Sequence, residues 1–174
     1  MKHFVKSGIA RLFYFSVLSF ANCFIACAHE NSMANHELGA RGLDPRTGVI
    51  LNEKEAPRVL EQCSRSTPKA ERFWKPTEEE VNKFDQKIIM YLQQSHVRKP
   101  TQSLEDYNRQ YIGIWTLDKK YIYVNFYYRP VAEELGMPII KAVSICAGGD
   151  YFFGMVYNVA ENTIQELRYN SDAG

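Results

Sequence analysis

Between residues 111 and 169 the chain runs through five segments dominated by Val, Ile, Phe, Tyr and Trp, at 111–117, 120–128, 139–146, 151–158 and 163–169. Such residues fit a pleated, half-buried surface, and each segment has the length of a strand. Asp118-Lys119, Gly148-Gly149-Asp150 and residues 158–162 supply turn-forming side chains between them, so adjacent strands are expected to pair as antiparallel hairpins. Only the connection 129–138 is longer. Within 120–128 the period is two: Ile122, Val124 and Phe126 fall on one face, and Tyr121, Tyr123, Asn125 and Tyr127 on the other. The first face suits a packed layer, the second water or a partner.

The packed layer is supplied upstream. Pro76 precedes Thr77-Glu78-Glu79-Glu80, a Thr-x-x-Glu capping box, and Val81, Phe84, Ile88, Tyr91 and Leu92 follow at helical spacing. A helix over about residues 78–94 with one apolar side is expected. The fold class that follows is α+β, one main helix on a four- to five-stranded antiparallel sheet. Residues 58–64 carry Val59, Leu60 and Cys63 and suit a short helix or turn against this domain.

The N-terminus has a different character. Lys2, His3, Lys6 and Arg11 precede the apolar run 12–26, which ends in small residues. A basic head, a short apolar middle and a small-residue exit are the parts of a secretory signal. The run is shorter than the roughly 20 residues a membrane-crossing helix requires. Phe24-Ile25-Ala26-Cys27 resembles the lipobox of bacterial lipoproteins, which implies lipid attachment at Cys27 and a mature chain beginning there. Cleavage after Ala28 without lipid is the alternative. Residues 29–57 are polar, hold His29 and His36, and read as a tether to a single domain at 58–174. The expected location is the bacterial cell envelope, membrane-anchored by lipid and facing the periplasm, or else soluble in the periplasm or medium.

Charge narrows the partners. Lys and Arg number 21 against 20 Asp and Glu, and Lys2, Lys6 and Arg11 belong to the signal, which leaves the remainder slightly acidic. Nucleic-acid binding draws most of its affinity from a basic surplus, so that class is disfavoured. Cys63 and Cys146 are the two cysteines of the domain, and two cysteines in an exported domain suggest one disulfide. The competing reading is a thiol-dependent enzyme with Cys146 as nucleophile and His96 as base. It is the third choice, because no paired carboxylates, metal cluster or cofactor motif accompany these residues.

Arg109-Gln110-Tyr111-Ile112-Gly113, Tyr121 to Phe126, Ile145-Cys146-Ala147-Gly148-Gly149 and Phe153-Gly154 resemble a group of small exported bacterial proteins and lipoproteins sharing R-x-Y-x-G-I, I-Y-V-N and C-x-G-G motifs. Ala147 stands where such sequences often carry Asp. The resemblance implies export and this fold, and implies no chemistry.

The candidate contact residues are therefore Trp115, Tyr121, Tyr123, Asn125 and Tyr127 on the tyrosine face, with the turn Gly148, Gly149 and Asp150. Aromatic rings with polar tips suit a protein or envelope component. Asn125, in an apolar strand, needs hydrogen-bond partners if buried. The leading expectation is an exported binding module, of which an inhibitor or immunity-type protein is one form; a structural or accessory envelope protein is the alternative.

Overall fold

The computed structural model describes residues 47–94 and 96–172. The signal, Cys27, His29 and His36 lie outside the described residues.

Strand β1 (Gly48–Ile50) opens the described chain, followed by a 3-10 turn at Arg58–Leu60, β2 (Arg72–Trp74) and helix α1 (Glu78–Leu92). Strands β3 (Tyr107–Thr116) and β4 (Lys119–Tyr128), the short helix α2 (Arg129–Glu134), β5 (Phe152–Asn158) and β6 (Thr163–Tyr169) complete it. The class is α+β, with one main helix. The capping box forms as expected: Thr77 Oγ1 accepts from Glu80 N, and Glu80 Oε2 accepts from Thr77 N.

The sheet is six-stranded and mixed, ordered β1-β3-β4-β5-β6, with β2 also on β3. Its centre is the antiparallel series β3-β4-β5-β6. Two short strands that carry no clear alternation share the outer edge of β3: β1 runs parallel to it beside Arg109–Tyr111, and β2 antiparallel beside Gly113–Trp115. The expected tether boundary at residue 57 is thus too late, since β1 and the buried Leu51 and Ala56 belong to the domain. The β3–β4 turn is centred on Leu117-Asp118, both at positive φ, one residue earlier than expected.

Residues 139–146 form no strand, although Ile139, Ile140, Val143, Ile145 and Cys146 have strand character. Their backbone bonds to buried side chains instead of a ladder, as described below.

On the front face Val81, Phe84, Ile88 and Leu92 of α1 pack against Tyr107, Tyr111, Ile122, Val124, Phe126, Phe153, Met155 and Tyr157. Ile122, Val124 and Phe126 thus face the helix, as their alternation predicts. Burial of these side chains removes apolar surface from water at roughly 25 cal/mol per Å2 and is the main stabilising term. Gly113 has a defined part in this layer. A Cβ there would lie 2.5 Å from the Trp74 indole and from the Trp74 carbonyl oxygen, so the ring occupies the space a side chain would need. Gly113→Ala should lower stability by about 2 kcal/mol through overpacking, read from a denaturant midpoint at unchanged slope. A loss within a few tenths of wild type would show that Trp74 moves aside freely.

Candidate functional site

The back face of the sheet is also covered. Leu51, Ala56 and Val59 pack on Ile112, Ile114, Tyr123 and Val156, while Ala132 and Val143 pack on Tyr127 and Phe152. The tyrosine face expected to meet a partner is therefore interior: Tyr123 is 2% exposed, Asn125 1% and Tyr127 0%. Trp115 and Tyr121, nearer the hairpin end, remain half-buried. A strand covered on both faces can still alternate if polar atoms on its second face find partners in the covering layer.

For Tyr123 and Asn125 those partners form a continuous network under the cover, whereas the buried Tyr127 Oη has no hydrogen-bond partner among the described residues. Arg65, 8% exposed, donates from Nε and Nη2 to Tyr123 Oη at 3.2 and 3.0 Å, from Nη2 to Asn125 Oδ1, and from Nη1 to Asn170 Oδ1. Asn125 Nδ2 in turn donates to Gln110 Oε1 and to Val143 O. The arginine's partners here are all uncharged oxygens, and burial holds the Tyr123 phenol above its ordinary pKa although Arg65 pulls it down. Gly154 leaves room for this arrangement: a Cβ there would lie 2.5 Å from Tyr123 Oη.

Three buried amides fix the segment after α2. Gln110 Nε2 donates to Ile139 O and Lys141 O, and its Oε1 accepts from Val143 N. Asn125 takes Val143 O, and Asn170 Nδ2 takes Ile145 O and Ala147 O. Side chains thus satisfy backbone groups that a strand neighbour would otherwise satisfy. From the other side, Gln62 Nε2 also reaches Val143 O, Ser144 Oγ donates to Glu61 O, and Ala142 N donates to Glu55 Oε2. The Cys63–Cys146 disulfide joins the same two segments covalently, across a sequence separation of 83.

The result is a surface loop held in one shape. Leu135, 59% exposed, and Ile140, 62% exposed, project from it, with Glu133, Glu134 and Lys141 also exposed. Apolar side chains on a loop pinned by a rigid scaffold are the arrangement from which binding loops are built. In the sequence this segment has the character of a connection followed by a strand, and no local signal marks Leu135 or Ile140.

The glycine turn has a structural role. Gly148 and Gly149 have φ of +96° and +54°, and Gly149–Tyr151 form a 3-10 turn rather than a hairpin. Asp150 O accepts from Tyr107 Oη, Asp150 Oδ2 accepts from Thr101 N, and Gly149 N donates to Ser171 O. The corner thereby ties β3, the chain just after β6 and the loop before β3 together. Partial burial works against the Asp150 carboxylate, but the Thr101 hydrogen bonds hold its pKa below the ordinary value.

Two further clusters escaped the sequence reading. Arg109 Nη1 pairs with Asp85 Oδ2 at 3.0 Å, and Tyr111 Oη donates to both Asp85 oxygens, fastening α1 to β3. At the opposite end of the sheet Arg72 lies 4.8 Å above the Trp115 ring and Lys120 lies 4.6 Å from that of Trp74. Asp85 follows the helical pattern only as a polar position, and nothing in the spacing links it to residues 109 and 111.

Among the described residues, no cluster of His, Cys, Asp or Glu could hold a metal ion, and no helix is long and apolar enough to cross a membrane. His96 is exposed, and Cys146 in its disulfide carries no thiol. A disulfide-closed α+β domain with a pinned apolar loop is what these features define. Comparison with protein-family models, with curated proteins and with solved structures finds no match to this chain.

Proposed function

We propose that this protein is an exported binding module of the bacterial cell envelope, lipid-anchored through Cys27, and that it acts as an inhibitor or immunity-type protein through the loop 133–141. The single observation that carries the reading is the pinned loop with Leu135 and Ile140 exposed on it. A loop already ordered before binding loses little conformational entropy when a partner closes over it. The partner it fits is a protein with an apolar recess bordered by basic groups, which would meet Glu133 and Glu134. The disulfide supports an oxidising compartment. It also leaves the thiol-enzyme reading without its nucleophile. The motif resemblance, the N-terminal pattern and export are parts of the same proposal.

The test is isolation of the protein from its native membrane fraction, with intact mass and bound partner recorded together. A mass beginning at a diacylglyceryl Cys27 and one stoichiometric partner are expected. The double variant Leu135→Ser with Ile140→Ser should keep its Tm, because both side chains face solvent, and should lose the partner. Retention of the partner would overturn the loop assignment, and an unlipidated chain would overturn the anchor.

A further inference from the structure

We propose that β6 pairs through its open edge with β6 of a second copy of this chain, antiparallel and centred on Leu167. Among the described residues the sheet order leaves β6 as an end strand, bonded only to β5. Asn170 N donates to Phe152 O, and Arg168 stands opposite Gly154. Antiparallel alternation therefore turns the backbone groups of residues 168 and 170 toward β5 and those of Leu167 and Tyr169 outward. Such a row of unpaired N–H and C=O groups is a template for another strand.

Charge selects the register. Centring the pair on Glu166 would set two carboxylates directly opposite each other, and centring it on Arg168 would do the same with two guanidinium groups. Centring it on Leu167 sets Glu166 of each copy opposite Arg168 of the other, and lets the two Leu167 residues exchange N–H···O=C bonds. Opposite charges across a ladder stabilise it, and like charges destabilise it. Both side chains are free to respond, at 57% exposure for Arg168 and 47% for Glu166. On the front face Leu167 is half-buried at the margin of the core, and a second Leu167 beside it would cover the remainder. The bulge in the β5–β6 pairing makes Gln165 an extra residue, so the intermolecular ladder is short, about residues 165–169, and depends on the charge pairs for its register.

Sedimentation of the full chain over a dilution series tests this. A reversible monomer–dimer equilibrium is expected. Glu166→Arg and Arg168→Glu should each weaken the dimer about tenfold, by opposing like charges at both symmetric sites. An equimolar mixture of the two variants should regain wild-type affinity as a heterodimer, because each reversed site then meets its complement. The Arg168–Glu166 pair within one chain, at 3.7 Å, cannot produce that recovery. A monomer at every concentration, single variants that associate like wild type, or a mixture that stays apart would each overturn the proposal.

Discussion

Replacing both Cys63 and Cys146 by Ser is expected to lower the unfolding free energy by about 4 kcal/mol, a large part of the roughly 5 to 15 kcal/mol available to a domain. The bridge closes a long loop, and in the chain-entropy model the loss grows with the logarithm of loop length. In the folded state the same two segments remain joined by Gln62 to Val143 and Ser144 to Glu61, so native geometry should persist in the variant. The measurement is equilibrium denaturation in urea with and without a reductant. Wild type in reductant should match the double variant. A loss below about 1 kcal/mol would show that the unfolded chain stays compact across this loop without the bond.

Arg65→Ala is expected to be equally severe, about 4 kcal/mol, by a different route. It strips a donor from Tyr123 Oη, Asn125 Oδ1 and Asn170 Oδ1 together, all buried, and opens a cavity under the cover. Arg65→Lys should recover only part of this, because one ammonium cannot reach all three acceptors with the planar fork of a guanidinium. Combined with the two Cys→Ser changes, the loss should fall short of the sum, since both act on the segment that covers Tyr123. Strict additivity would mean that the disulfide and the arginine hold independent parts of the back layer.

Much of the front of the molecule is legible in the sequence. The Thr77–Glu80 capping box, the helix that follows it, the two-residue period of β4 and the Cys63–Cys146 bridge rest on local spacing or simple counting. The back was not legible, because its logic is nonlocal. Tyr123 and Asn125 look like a wet face until Arg65, some 60 residues earlier, is placed over them. The run 139–146 looks like a strand because its composition is that of one, and only the buried Gln110, Asn125 and Asn170 side chains show why no neighbouring strand is required. β1 and β2 are too short for a period to register, and their pairing is set by the free edge of β3. Tyr123 and Tyr127 are covered for the same reason, and the large apolar side chains left exposed among the described residues are Met90, Leu117, Tyr151 and, on the covering loop, Leu135 and Ile140.

The parallel pairing of β1 with β3 bears on the order in which the molecule can assemble. Gly48 needs only β3 beside it at Arg109, but Arg65 needs Asn170, so the back layer is completed only when the end of the described chain is in place. The hairpins β3–β4 and β5–β6 can close first, because short turns join their strands, whereas residues 129–151 separate β4 from β5. Residues 48–65 would then fold back onto a finished platform as the final step, and oxidation of Cys63 with Cys146 would seal a structure already made rather than guide its making.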